Sequence, residues 1–309
     1  MTKKNHELRL GTRASRLALA QAGWVKNQLE GKNPGILVRL VHIKTEGDKL
    51  DIPLFKVGGK GLFVKEIEEA LLQGRVDLAV HSAKDLPAVV PEGLALVAFP
   101  EREDPRDVWI TADGRSWKET PPGGKVGTGS LRRKAQLLHL RSDLEVVPIR
   151  GNLDTRMKKL RSMALDALVL AAAGLRRMGW ENQASAYFDP DVMLPAIGQG
   201  ALAVEARTED PALGKVIQVL DHFPTRLAIQ AERAFLRRLG GGCQVPIAGY
   251  ARLQSGRLVL SGLVAALDGR RILREKIEGP PEQGEELGEA LAQTLLARGA
   301  GEILSEVGG

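Results

Sequence analysis

Three kinds of residue in this 309-residue chain could do chemistry. The first is a lone thiol. Cys243 follows Gly240, Gly241 and Gly242, precedes Gln244-Val245-Pro246, and has no second cysteine with which to pair. Residues without a Cβ let a chain turn sharply and leave room beside it, so this sulfur reads as one presented to a partner. The second is a carboxylate, Asp85, in His81-Ser82-Ala83-Lys84-Asp85-Leu86-Pro87. Such a group can stabilise developing positive charge or move a proton; as a solvated pair with Lys84 it would be worth little. The third is arginine, which recurs in one context. Arg13 lies in Gly11-Thr12-Arg13-Ala14-Ser15, Arg132 and Arg133 follow Gly127-Thr128-Gly129-Ser130, Arg150 and Arg156 flank Gly151-Asn152, and Arg176 and Arg177 follow Ala172-Ala173-Gly174. The planar guanidinium grips carboxylate and phosphate bidentately, which predicts a small ligand bearing several such groups.

Each of the aspartate and arginine segments follows a predicted strand. Leu8–Leu10 reads as a strand and about Ser15 to Leu29 as a helix with Ser15 at its N-cap;. Ile36–Ile43, Val76–Val80 and Leu94–Phe99 read as strands, and Val64, Ile67 and Leu71 recur at helical spacing;. After Glu101-Arg102-Glu103-Asp104-Pro105, a charged stretch read as a crossover between domains, the pattern restarts. Val108–Thr111, Val126–Gly127, Leu144–Ile149 and Ala167–Leu170 are its strands, Leu131–Leu140 and Leu153–Met163 its helices. A strand at Ala201–Glu205 returns the chain to the first sheet. This alternation implies parallel sheets covered on both faces. Ligands of such sheets collect beyond the carboxyl ends of the strands, where helix N-termini offer free amides to anions. One arginine on a helix is ordinarily solvated; several at strand ends converge on one crevice.

Lys56 and Lys60 sit in a glycine-rich loop, Lys56–Phe63, that lacks P-loop spacing;. It reads either as a plain surface loop or as a basic flap over an anionic ligand. His81 reads first as a satisfied core histidine. From about Phe223 the texture changes. A helix from Thr225 to Leu239 leads to the glycine-cysteine turn, then come three strands separated by Ser255-Gly256 and Asp268-Gly269, then a helix from about Glu285 to Ala297. Both dipeptides favour hairpins, so the C-terminal part is a small α+β domain with an antiparallel sheet.

Composition narrows the classes. The 44 Lys and Arg against 38 Asp and Glu give a net charge of +6, weak evidence by itself for a polyanionic partner;. Aromatic residues are only 4% and do not interleave with the basic ones, which argues against a single-strand nucleic-acid groove;. No apolar run approaches the roughly 18 residues that cross a bilayer, and the N-terminal residues lack a signal-peptide core. With one cysteine, the expected compartment is a reducing cytoplasm. The HExxH, CxxC, calcium-loop and GxSxG templates are missing, so no metal site is expected.

Taken in order along nearly the whole chain, these segments resemble the porphobilinogen deaminase (hydroxymethylbilane synthase) family. They are Gly11–Ser15, Lys56–Phe63, His81–Pro87, Glu101–Asp107, Gly127–Arg133, Arg150–Asn152, Leu194–Gly200 and Gly241–Pro246. The resemblance implies an α/β fold of two doubly wound modules, like those of type II periplasmic binding proteins, plus the small α+β domain. The expected boundaries are 1–102 with 198–221, 103–197, and 222–309. It implies a dipyrromethane cofactor attached covalently to Cys243. Four porphobilinogen molecules would be added in turn to this primer, each losing ammonia, before hydrolysis releases 1-hydroxymethylbilane. Asp85 would be the catalytic carboxylate and would also contact the cofactor. Lys84, Ser130, Arg132 and Arg133 match positions that hold the cofactor's carboxylates. Arg13, Ser15, Arg150, Arg156 and Arg177 match positions around the substrate and growing chain. Lys56 and Lys60 fall on the loop near the cleft, and Gln199 on the interdomain hinge. A monomer without nucleic-acid or membrane partners is implied. The chain departs from the pattern at Gly129, where many members carry a second serine, which implies rearranged anchoring of one cofactor carboxylate. The competing reading is a non-catalytic polycarboxylate-binding protein, which would carry no covalent adduct.

Overall fold

The computed structural model describes residues 6–46, 64–208, 210–241 and 245–308. The described residues form two compact units, one running to Arg102 and taking in Ala201–Arg226, the other comprising Glu103–Gly200 and the chain from Leu227. Lys56, Lys60 and Cys243 lie outside the described residues.

In the first unit, strands β1 (His6–Thr12), β2 (Ile36–His42), β3 (Leu78–Ser82) and β4 (Leu94–Ala98) form one sheet with β10 (Leu202–Arg207), in the order β2-β1-β3-β10-β4. Alternation in β1 sends Leu8 and Leu10 into the core while Arg9 pairs with Asp77 at 2.6 Å;. Leu78, Val80, Val204 and Ala206 pack one face under the helix Arg16–Lys32. Ala79 packs the other beneath Ile67, Ala70 and Leu71 of the helix Lys65–Leu72.

The second unit repeats this plan. β5 (Asp107–Ile110), β6 (Lys125–Thr128), β7 (Glu145–Pro148), β8 (Ala167–Ala171) and β9 (Ala186–Tyr187) are ordered β7-β6-β8-β5-β9. The helices Leu131–Leu140, Leu153–Ser162 and Ala172–Arg177 follow β6, β7 and β8. β8 is nearly all apolar and buried, as befits a central strand;.

The sheets are mixed, which corrects the expectation of parallel ones. β10 runs antiparallel to β3 and β4, and β5 antiparallel to β8 and β9. Both are strands that the chain enters on leaving the other module. No βαβ crossover sets their direction, and such a crossover is what carries the chain back to start a parallel strand.

The same unit holds the antiparallel sheet of β11 (Ile247–Gln254), β12 (Arg257–Ala265) and β13 (Ile272–Gly279). Ser255 and Gly256 turn its first hairpin with φ of 49° and 76°, as two-residue turns require;. The helices Phe223–Arg238 and Gly284–Ala297 touch so closely that a Cβ on Gly288 would lie 2.3 Å from the Ala231 carbonyl. Ala248, Leu263 and Ala265 bury against Ala135 and Leu194.

Candidate active site

The three parallel strands on one side of each sheet, β2-β1-β3 and β7-β6-β8, end on one edge, and most of the predicted site residues lie there. In the first unit this edge carries Arg13 and Ser15 after β1, and Lys84 and Asp85 after β3. Ser15 caps the helix Arg16–Lys32, its Oγ accepting the Ala18 amide at 3.3 Å. Arg13 is half-buried. Lys84 and Asp85 occupy a single helical turn, Ala83–Asp85, with Lys84 half-buried and the Asp85 side chain exposed. The turn is anchored where the Ala83 amide donates to the Ala201 carbonyl (3.0 Å) and where Gln21 Nε2 donates to Ser82 Oγ (2.9 Å).

Beneath that turn lies a cluster that the sequence did not disclose. His81 Nε2 is 2.9 Å from Glu205 Oε2, with side chains only 3% and 0% exposed. Glu68 is buried nearby. Burial first, and the neighbouring Glu205 second, push the Glu68 carboxyl up from 4.5 to about 7, against the opposing pull of His81;.

In the second unit the corresponding edge carries Ser130, Arg132, Arg133, Arg150, Arg156 and Arg177. Ser130 caps the helix Leu131–Leu140 through the Arg133 amide at 3.4 Å. Arg132 and Arg133 do not project outward. Both are buried and converge on Asp107, which is wholly inaccessible. Arg132 Nη1 donates to Asp107 Oδ2 and to the Leu194 carbonyl, each at 2.7 Å. Arg133 Nε donates to Asp107 Oδ1 at 3.0 Å and Nη1 to the Val169 carbonyl at 3.0 Å. Gln199 Nε2 completes the set, donating to Asp107 Oδ1 (2.8 Å) and the Pro105 carbonyl (2.7 Å). Burial by itself would raise the Asp107 carboxyl, but the two guanidiniums and these hydrogen bonds overcome it and hold the group far below the usual carboxylate range;. Arg133 is pushed down by burial and by Arg132, yet a guanidinium keeps its proton at any physiological pH;. Two cations thus share one anion, leaving a surplus positive charge at a helix N-terminus.

Arg150 and Arg156 are half-buried, and Arg156 Nε donates to the Gly151 carbonyl at 2.8 Å. Arg177 Nη2 donates to the Gly200 carbonyl at 2.7 Å; burial lowers its pKa from 12.5 to about 10, partly offset by Glu103. At Gly129 the geometry explains the absent side chain. A Cβ there would stand 2.5 Å from the Ile149 carbonyl oxygen, so the turn before Ser130 lies against the end of β7 more closely than any L side chain permits;.

The glycines before Cys243 also resolve into separate tasks. Gly240 has φ of 66°; its amide donates to the Arg237 carbonyl and that of Gly241 to the Leu236 carbonyl. This paired arrangement is a Schellman cap on the helix Phe223–Arg238;. A Cβ on Gly241 would stand 2.5 Å from Ile247 Cδ1. Two of the glycines therefore end a helix and pass a tight contact.

The edge of the first module presents a carboxylate on a braced turn, and that of the second holds two buried arginines at a helix N-terminus. The family model for "Porphobilinogen deaminase, dipyromethane cofactor binding domain" matches residues 8–215, and that for "Porphobilinogen deaminase, C-terminal domain" matches residues 226–297. The porphobilinogen deaminase of Pelobacter propionicus is 55% identical over 302 residues, 97% of each chain. That of Geobacter sulfurreducens is 55% identical over 303 residues, covering 98% of this chain and 95% of its own. Among solved structures, the methionine-binding protein MetQ aligns over 69% of this chain and 89% of its own, at 13% identity and a TM-score of 0.45. The chain belongs to the porphobilinogen deaminase family, transferases of tetrapyrrole biosynthesis that work with a dipyrromethane cofactor.

Proposed function

We propose that this chain joins porphobilinogen units head to tail on a dipyrromethane carried by Cys243, with loss of ammonia at each addition and hydrolytic release of 1-hydroxymethylbilane. The observation that carries the reading is the sharing of Asp107 by Arg132 and Arg133. One carboxylate cannot neutralise two guanidiniums, and a buried surplus cation favours an anionic ligand. The acetate and propionate groups of pyrroles fit that donor set. When bound, the dipyrromethane supplies the nucleophilic pyrrole carbon to which substrate is joined.

The protein's own residues then divide the work. Ser130 and Arg133 anchor cofactor carboxylates with Lys84, while Arg132 holds the array in place through Asp107 and the Leu194 carbonyl. Arg13, Ser15, Arg150, Arg156 and Arg177 receive the carboxylates of substrate and product, with Lys56 and Lys60 adding positive charge. Gln199, tied to Pro105 and Asp107, fixes the connection through which the chain leaves the second module. Asp85 accepts a hydrogen bond from a pyrrole N–H. That bond strengthens as positive charge develops when ammonia departs, which is catalysis by differential stabilisation. The reading assigns the chain to the cytoplasm as a monomer without a nucleic-acid partner. Among the described residues no helix is long and apolar enough to cross a membrane.

Intact mass spectrometry tests this directly. The purified chain should carry the extra mass of a dipyrromethane, and Cys243→Ser should lack both the adduct and turnover. An unmodified chain that still releases ammonia from porphobilinogen would overturn the assignment, and a binding protein would show neither adduct nor ammonia.

A further inference from the structure

The buried acids of the first unit have no place in the proposed chemistry, yet they lie directly under the turn that carries Asp85. β3 and β10 pair with Ala203 opposite His81 and Glu205 opposite Ala79, so His81 and Glu205 share one face of the sheet;. The helix Lys65–Leu72, which packs on β3 and β10, covers that face and brings Glu68. A register shift between β10 and β4 falls between Val204 and Glu205, the kind of irregularity that re-aims a side chain;.

Charge and hydrogen bonding then constrain the protons. Among the described residues, neither Oε1 of Glu205 nor Oε1 of Glu68, both buried, has a hydrogen-bond partner. Two ionised carboxylates beside one imidazole would leave net negative charge in a dry site, at a steep desolvation cost. A protonated Glu68 carboxyl lessens that charge. Among the described residues, the charged groups flanking the cluster on the same elements are paired or exposed. Arg207, next on this face of β10, donates to the Leu71 and Val76 carbonyls and pairs with Asp77. Glu66 receives the Glu46 amide on its Oε1, although its Oε2 is also buried without a partner. Lys65 and Glu69 are exposed. β4 brings no charge.

We propose that Glu205, His81 and Glu68 form a buried support for the Ser82–Asp85 turn, in which Glu205 and His81 are positioning residues for the Asp85 carboxylate. Ser82, on the opposite face, is held by Gln21 and Ala83 by the Ala201 carbonyl, so His81 supplies the brace on the third side. Without it the backbone that aims Asp85 loses its contact on the Glu205 face. The inference rests on the reading of Asp85 as the catalytic carboxylate.

The test compares Glu205→Gln, Glu205→Ala and Asp85→Asn as cofactor-loaded chains. Displacing a catalytic group by an ångström can cost about a hundredfold in rate. Glu205→Gln, which keeps an acceptor but loses the charge, should lower kcat about tenfold, and Glu205→Ala about a hundredfold, with KM nearly constant in both. A second readout needs no turnover. The infrared band of a buried protonated carboxyl should persist in wild type until the pH passes about 7, and be missing from Glu68→Gln. Wild-type kcat in both Glu205 variants, or an infrared band unaffected by Glu68→Gln, overturns the support. If Asp85→Asn itself retains turnover, the reading of Asp85 fails instead.

Discussion

The two α/β modules present their parallel strand ends in the same way and store opposite charge behind them. Under the first edge lie two carboxyls and one imidazole, Glu68, Glu205 and His81. Under the second lie two guanidiniums and one carboxylate, Arg132, Arg133 and Asp107. Each cluster carries one group more of its own sign than it can neutralise with fixed charges. The acidic cluster resolves this by keeping a proton, because a carboxyl can be neutral at modest cost. The basic cluster cannot, because arginine does not give up its proton, so its surplus is available to an anion. Topology alone therefore assigns no chemistry. The titrating ability of the buried groups decides which edge can shed its surplus charge and which keeps it.

The strongest way to break this comparison is Asp107→Asn. It leaves two buried guanidiniums without an anion, and removing one partner of a buried ion pair costs about 3–5 kcal/mol. The pH dependence has a definite sign. Asp107 has a folded-state pKa far below its unfolded value, so its stabilisation is present above the ordinary carboxylate pKa of about 4 and is lost as the pH falls below it;. Denaturation curves of wild type and Asp107→Asn should be far apart at neutral pH and draw together in acid. Coincident curves at neutral pH would mean that the surplus charge is dispersed.

How much of this could be seen in sequence follows from the range of the interactions. Helix Leu131–Leu140 and the hairpin at Ser255-Gly256 were placed correctly because their signals are local: an N-cap serine, and a dipeptide suited to positive φ;. The turns bearing Arg13, Asp85, Arg133 and Arg150 were legible for the same reason, each following an apolar run. The partners behind them were not. Asp107 is 25 and 26 residues from the arginines it holds, and Glu205 is 124 residues from His81. Nothing in the periodicity around Asp107 marks it as buried, since it comes just after the charged crossover Glu101–Pro105. The directions of β5 and β10 were missed because they depend on where the chain comes from. His81 was read correctly as a core histidine, although its importance lies in what it braces.

The acidic cluster can be probed by the converse substitution, Glu68→Gln. Here the folded-state pKa is raised, from 4.5 to about 7, so the native state pays for ionisation as the pH climbs between these values;. Glutamine never ionises. The variant should match wild type near pH 4 and exceed it increasingly up to about pH 7, with a plateau beyond. The full gain is on the order of 3 kcal/mol, the free energy of a shift of that size. Opposite responses are the point: neutralising the buried acid in the basic cluster destabilises, and neutralising one in the acidic cluster stabilises. Chemical denaturation at pH 5 and pH 8 measures both. A destabilising Glu68→Gln would place the proton elsewhere.

The smallest effects separate structure from function most cleanly, because the two modules offer matched positions. Ser15 and Ser130 cap the first helix at each edge, through amides at 3.3 and 3.4 Å. N-cap serine to alanine substitutions cost about 1 kcal/mol, and bonds this long belong at the lower end. Ser15→Ala and Ser130→Ala should therefore lower stability by similar small amounts. Their functional consequences should differ. Ser130 stands beside the arginine pair and is assigned to the cofactor, so Ser130→Ala should reduce the fraction of chains carrying the dipyrromethane adduct by mass. Ser15 is assigned to substrate, so Ser15→Ala should leave that fraction intact and raise KM a fewfold. Equal loss of adduct in both variants would show that helix capping, rather than the charge stored behind each edge, governs cofactor retention.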